Sequence, residues 1–147
     1  MINGSCLCGE VKFKIRLPFI GINNCYCSRC RKASGSAFGT FLHTTTDLFE
    51  LISGEESINN YKPKDGDKRP FCLKCGCRVP SVIKEENHVI VPAGCLDDDM
   101  DSYPLASIYT DSKTSWSNLD ESIPCFPQGA PEGFWQSAID NFEKQIN

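Results

Sequence analysis

Histidine is scarce in this chain of 147 residues, which has only His43 and His88. General acid–base catalysis therefore has few candidates. No Ser-His-Asp arrangement, phosphate loop or nucleotide-binding glycine pattern is present. His43 ends an expected strand and could face a pocket, whereas His88 begins one and is expected to be exposed. Neither is read as a catalytic base. Basic residues are also in deficit: 15 Lys and Arg against 19 Asp and Glu give a formal net charge of -4. A general nucleic-acid binder carries a basic excess instead. No apolar run is long enough to span a bilayer. The opening Met1-Ile2-Asn3-Gly4-Ser5-Cys6 lacks the basic and apolar regions of a signal peptide. The expectation is a cytoplasmic protein with neither a membrane nor a nucleic-acid partner. Internal repeats and low-complexity segments are absent.

What the chain has in excess is cysteine, with ten residues. Reducing compartments disfavour structural disulfides, so metal binding is the stronger reading. The length suits one domain with one core.

The periodicity is mostly that of short strands. Val11, Phe13 and Ile15 alternate with Lys12 and Lys14, the period of a half-buried strand. Strands are also expected over Ala37–Leu42, Leu48–Ile52, Ser57–Tyr61, Arg69–Cys72 and Ser107–Tyr109. Val79–Ile83 and His88–Val91 read as a hairpin. Ser28–Ser34 suits one or two helical turns. Asp97–Asp101 reads as a solvated acidic turn, because it lacks the glycine and distal glutamate of a calcium loop. After Pro131 the period becomes helical, with Phe134, Ala138 and Phe142 four residues apart. Pro131 can occupy a first helical turn. The expected fold class is mainly β, with small zinc-stapled sheets, short helices and a C-terminal helix. Residues 1–130 form the zinc-binding β domain, and 131–147 an amphipathic helix packed on it.

Three cysteine groups carry the chemistry. Cys72-x-x-Cys75-Gly76 is the strongest signal: the two-residue spacer lets both thiolates face one ion, and the glycine permits the turn that aims backbone donors at sulfur. Cys6-x-Cys8-Gly9 has the same character and is the natural source of the remaining pair. A closed tetrahedron on Cys6, Cys8, Cys72 and Cys75 would be a structural zinc site joining distant parts of the chain. The alternative is buried, unrelated thiols.

Cys25-x-Cys27-x-x-Cys30 offers three ligands within six residues and leaves a fourth position open, as at a catalytic zinc. Three other readings stand beside it: a tetrahedron closed by Cys77 or Cys95, a Cys27–Cys30 redox pair, and an iron–sulfur site. Three thiolates make zinc a weak Lewis acid, so hydrolysis by bound water is disfavoured. Such an ion still lowers the pKa of an incoming thiol and holds its thiolate. Arg29, Arg31 and Lys32 could offset the thiolate charge and receive substrate carboxylates, or form a solvated helical face. Cys77 reads as a small buried hydrophobe.

These motifs resemble the family of glutathione-dependent formaldehyde-activating enzymes, which includes centromere protein V. The resemblance rests on Gly4-Ser5-Cys6-Leu7-Cys8-Gly9-Glu10-Val11, on Cys25-Tyr26-Cys27-Ser28-Arg29-Cys30-Arg31-Lys32-Ala33-Ser34-Gly35 and on Phe71-Cys72-Leu73-Lys74-Cys75-Gly76. Ala93-Gly94-Cys95-Leu96-Asp97 and the segment from Ser112 to Phe126 extend it. It implies a β-tent, or Mss4-like, fold. It also implies a structural zinc on Cys6, Cys8, Cys72 and Cys75 and a second, exchangeable zinc on Cys25, Cys27 and Cys30, which would be the catalytic residues. The implied activity is that of a carbon–sulfur lyase joining formaldehyde to glutathione as S-hydroxymethylglutathione, with Arg29 and Arg31 helping to hold the thiol compound. The alternative is a non-catalytic zinc module that binds a thiol adduct or a protein partner. The chain departs from the family at Tyr26 and Ser107, two positions where histidine is usual.

Overall fold

The computed structural model describes residues 1–147. The chain is mainly β with two helices, one of them C-terminal. It divides into two compact units, one built from residues 1–19 and 43–100, the other from 20–42 and 101–147.

The first unit begins with strand β1 (Ile2–Ser5), which the sequence did not announce. It pairs antiparallel with β2 (Lys12–Ile15), Ile2 facing Ile15 and Gly4 facing Phe13. The expected alternation holds in β2: Phe13 and Ile15 are buried with Val11 just before them, while Lys12 points to solvent. Strand β5 (Phe49–Ser53) completes a sheet ordered β1-β2-β5. Gly4 is required here, because a β-carbon would meet the Phe13 ring and stand 2.7 Å from the Cys95 carbonyl oxygen.

A second antiparallel pair joins β6 (Ile58–Tyr61) to β7 (Arg69–Cys72), with Ile58 opposite Cys72. A third joins β8 (Ser81–Ile83) to β9 (His88–Pro92) across a short 3-10 turn. Asn87 closes that turn with a left-handed backbone (φ 48°), a conformation asparagine tolerates better than most residues. The acidic loop is less free than its composition suggests. Asp98 accepts from the backbone and side chain of Asn3, both at 2.7 Å, and Asp97 accepts from Ser5 Oγ at 2.9 Å. These bonds anchor β1, and they hold the Asp98 carboxyl below its usual range.

The second unit contains β3 (Gly21–Cys25), helix α1 (Ser28–Ser34), the first four residues of β4 (Gly39–Thr44) and β10 (Ala106–Ile108). Strand β10 lies parallel to β3 and places Ile108 beside Cys25. Pro124 and Phe126 bond Ser107 on both sides of its backbone. The C-terminal helix α2 spans Gln136–Ile146, five residues later than Pro131. Gly133 has φ 83°, which interrupts the right-handed path after Pro131. The Pro131–Phe134 segment instead forms one turn, with Phe134 N–H donating to Pro131 at 3.0 Å. Phe142 is the buried residue of α2, and Phe134 stacks edge-on against Phe126 and Trp135. No helix is long and apolar enough to cross a membrane.

Candidate metal centres

The first cysteine group comes from two turns of the same design. The Cys6 N–H donates to Val11 O at 2.9 Å, and the Cys72 N–H donates to Cys77 O at 2.8 Å. Each turn therefore closes over five residues. Inside them, Gly9 N–H returns to Cys6 O and Gly76 N–H to Cys72 O. Gly9 and Gly76 take left-handed φ values of 75° and 70°, which only glycine adopts cheaply. Leu7 and Leu73 stand exposed at the tips.

The turns bring the sulfurs of Cys6, Cys8, Cys72 and Cys75 within 4.8 Å of one another. Cys6 and Cys72 are buried in a cluster with Val11 and Val79, against which Leu51 and Ile58 pack. Backbone donors surround the sulfurs, including Val11 N–H on Cys6 Sγ at 3.3 Å. The acidities show thiols competing for negative charge. The Cys75 thiol falls to about 6, chiefly through the Cys77 backbone donor. The Glu10 backbone donor acts to lower Cys8, but burial and the thiols of Cys6, Cys75 and Cys72 outweigh it and push Cys8 to about 12. Four soft donors, preset by N–H groups and short of positive charge, suit a divalent thiophilic ion. Lys74 and Glu10, one from each turn, pair at 2.7 Å.

The second group lies wholly in the other unit. Cys25 ends β3, pinned by the parallel pairing with Ile108, and Tyr26 N–H donates to Ile108 O at 3.0 Å. Cys27 caps α1, its sulfur accepting from Cys30 N–H at 3.4 Å. Cys30 lies in the first turn of that helix and is buried. The three sulfurs lie within 4.8 Å of one another. Contact with Cys30, then burial, pushes the Cys25 thiol far above its ordinary range. Without a cation these thiols cannot share three negative charges, so the donor set again suits a metal. The group contains three cysteines and no fourth ligand. Cys77 and Cys95 belong to the first unit and contact each other at 3.6 Å.

The basic residues of α1 are disposed unequally. Arg29 is exposed. Arg31 is half-buried and donates from Nε to Tyr26 O at 3.2 Å, reaching back over the cysteine turn. Lys32 is exposed.

Residues 1–112 match the family of glutathione-dependent formaldehyde-activating enzymes. The chain belongs to that family. A Halomonas elongata protein, provisionally named a glutathione-dependent formaldehyde-activating enzyme, is 28% identical over 137 residues, covering 86% of this chain and 87% of that one. A crystal structure of a Rhodobacter sphaeroides protein shares the fold, with a TM-score of 0.54 and 22% identity over 67% of this chain and 91% of that one.

The two positions at which the sequence departs from its family resemblance, Tyr26 and Ser107, are neighbours. Tyr26 and Ser107 are both fully buried. Burial pushes the Tyr26 phenol up, while the Ser107 hydroxyl acts in the opposite direction. Tyr26 also packs on Phe38, with ring centroids 4.8 Å apart. Sequence spacing could flag each position but not their meeting, which depends on the parallel pairing of β10 with β3.

Two further pairings had no signal in the sequence. Cys77 and Cys95 are eighteen residues apart. His43 and His88 bond each other at 2.9 Å. His88 is half-buried rather than exposed, and both rings serve their own packing.

Proposed function

We propose that this chain is a zinc-dependent carbon–sulfur lyase acting on a small thiol adduct, of the kind formed between formaldehyde and glutathione. The observation that carries this reading is the three-cysteine group at Cys25, Cys27 and Cys30, whose sulfurs converge without a fourth protein ligand. Cys6, Cys8, Cys72 and Cys75 would hold a structural zinc, and the triad a second, exchangeable one. Zinc at the triad would supply a centre on which a small thiol sits as its thiolate.

The chain's own residues account for the rest. Cys27 is held by the Cys30 N–H, which fixes two ligands relative to each other. Strand β10 fixes the third through Cys25. Arg29, exposed in the first turn of α1, would receive a carboxylate of the thiol compound. Arg31 stiffens the turn through Tyr26 O.

One observation favours a second reading. The triad's unit contains no histidine, since both histidines lie in the other unit. A non-catalytic zinc module that holds a thiol adduct or a protein partner needs no proton-transfer group. Calorimetric titration of zinc-loaded protein with glutathione, paired with an assay of hemithioacetal formation and cleavage, separates the two. Binding with turnover supports the enzyme. Binding alone supports a module that holds a thiol adduct, and neither result with the triad fully loaded overturns both the enzyme and that thiol-binding module.

A further inference from the structure

Cys77 and Cys95 belong to neither ligand group, yet their sulfurs lie 3.6 Å apart. We propose that they form a reversible dithiol–disulfide centre, a third cysteine site that exchanges with small disulfides. This stands apart from the reading of the triad.

Different elements deliver the two residues. Cys77 is set by the second cysteine turn, whose closing bond runs from Cys72 N–H to Cys77 O. Cys95 ends the 3-10 turn after β9 and is held by the bridge between Gly4 and Leu96. Both thiols donate to one acceptor, the Arg78 carbonyl, at 3.3 and 3.2 Å. The shared acceptor aims the two sulfurs at the same point, side by side.

A disulfide needs the sulfurs to close to about 2.05 Å, a movement within reach of side-chain rotation and small backbone adjustment. Each cysteine follows a glycine, Gly76 or Gly94. Cys77 is the half-buried member and Cys95 the buried one, so an incoming reagent meets Cys77 first.

The chemistry balances as a two-electron exchange. The Cys77 thiolate attacks one sulfur of a small disulfide, breaking that S–S bond and releasing one thiolate. The Cys95 thiol gives its proton to water and attacks the Cys77 sulfur, forming the protein disulfide and releasing the second thiolate. The protein loses two electrons and two protons, and the small disulfide becomes two thiols. Excess thiol reverses the sequence.

The test uses the zinc-loaded full chain, equilibrated in buffers of reduced and oxidised glutathione, quenched in acid, alkylated and mapped by mass spectrometry. The expected result is a peptide pair linking residues 75–78 to the peptide bearing Cys95. The link loses the mass of two hydrogens, disappears in dithiothreitol and forms without loss of zinc. Cys75 lies in the same peptide as Cys77, so Cys77→Ser decides the assignment, and the link should vanish in that variant. A link that persists in Cys77→Ser, or one that forms only as zinc leaves, overturns the proposal. So does complete alkylation of both thiols in fully oxidised glutathione.

Discussion

His43 Nδ1 lies 2.9 Å from His88 Nε2, so the only two histidines in the chain form a pair. Their rings stack with centroids 5.1 Å apart. Burial, and then the charge of His88, push His43 down to about 4. The unfolded chain binds this proton near pH 6.5, so between those values the unfolded state is protonated and the folded state is not. The contribution of His43 to stability is intact above about pH 6.5 and is lost as pH falls toward 4. The shift corresponds to about 3 kcal/mol over the whole window, roughly 2 of it by pH 5. Urea unfolding at pH 7 and pH 5 should therefore show a smaller pH effect in His43→Gln than in the wild type. Acid also acts on the carboxylates and thiols of both proteins, so the difference between the two isolates the histidine pair. Equal pH effects would refute this account.

Gly76 and Gly94 separate backbone strain from crowding. A β-carbon has open space at both positions, but only Gly76 has a left-handed φ, 70°. Gly76→Ala should cost about 1–2 kcal/mol. Gly94→Ala should be neutral or stabilising by up to about 1 kcal/mol, because it restricts the unfolded chain without straining the folded one. Denaturant midpoints of the zinc-loaded variants test this, and equal losses would show that φ does not govern the second cysteine turn.

Cysteine substitutions should divide the two metal centres. Cys72 is fully buried, and its backbone N–H closes its turn. Structural zinc binding is folding free energy. Cys72→Ser should lose more than about 4 kcal/mol and fail to show a cooperative thermal transition at the wild-type temperature. Cys27→Ser removes a half-buried sulfur at the start of α1. It should keep a cooperative transition while losing one zinc per chain by elemental analysis. Similar melting curves for the two variants would dissolve the distinction between a structural and an exchangeable site.

The cysteine turns were legible in the sequence because their information is local. Spacing and a following glycine dictate the Cys6 and Cys72 turns before any tertiary contact forms. The same holds for β2, where Phe13 and Ile15 alternate with lysines. Strand β1 was not legible: Ile2–Ser5 has four residues and little alternation, and it becomes a strand by pairing with β2, anchored further by Asp97 and Asp98 from more than ninety residues away. Helix α2 starts late for a local reason, the interruption at Gly133. The Tyr26–Ser107, His43–His88 and Cys77–Cys95 contacts all depend on pairings between distant segments. No periodicity encodes such contacts.

Chelation should separate the sites by rate. The first group would surround an ion with four sulfurs, two of them from buried cysteines, and backbone donors already oriented. Removing that ion requires the cysteine turns to open, so it should proceed no faster than local unfolding. The triad offers three sulfurs, and a chelator can enter at the open position without any turn opening. With both zincs bound, a chromogenic chelator should therefore give two phases of about one zinc each. The fast phase should leave the far-ultraviolet circular dichroism unchanged, and the slow phase should track its loss. Glutathione at saturating concentration should slow only the fast phase, because it occupies the position through which the chelator enters. A single phase coincident with unfolding would mean that the triad is closed, and would remove the main structural reason for assigning it an activity.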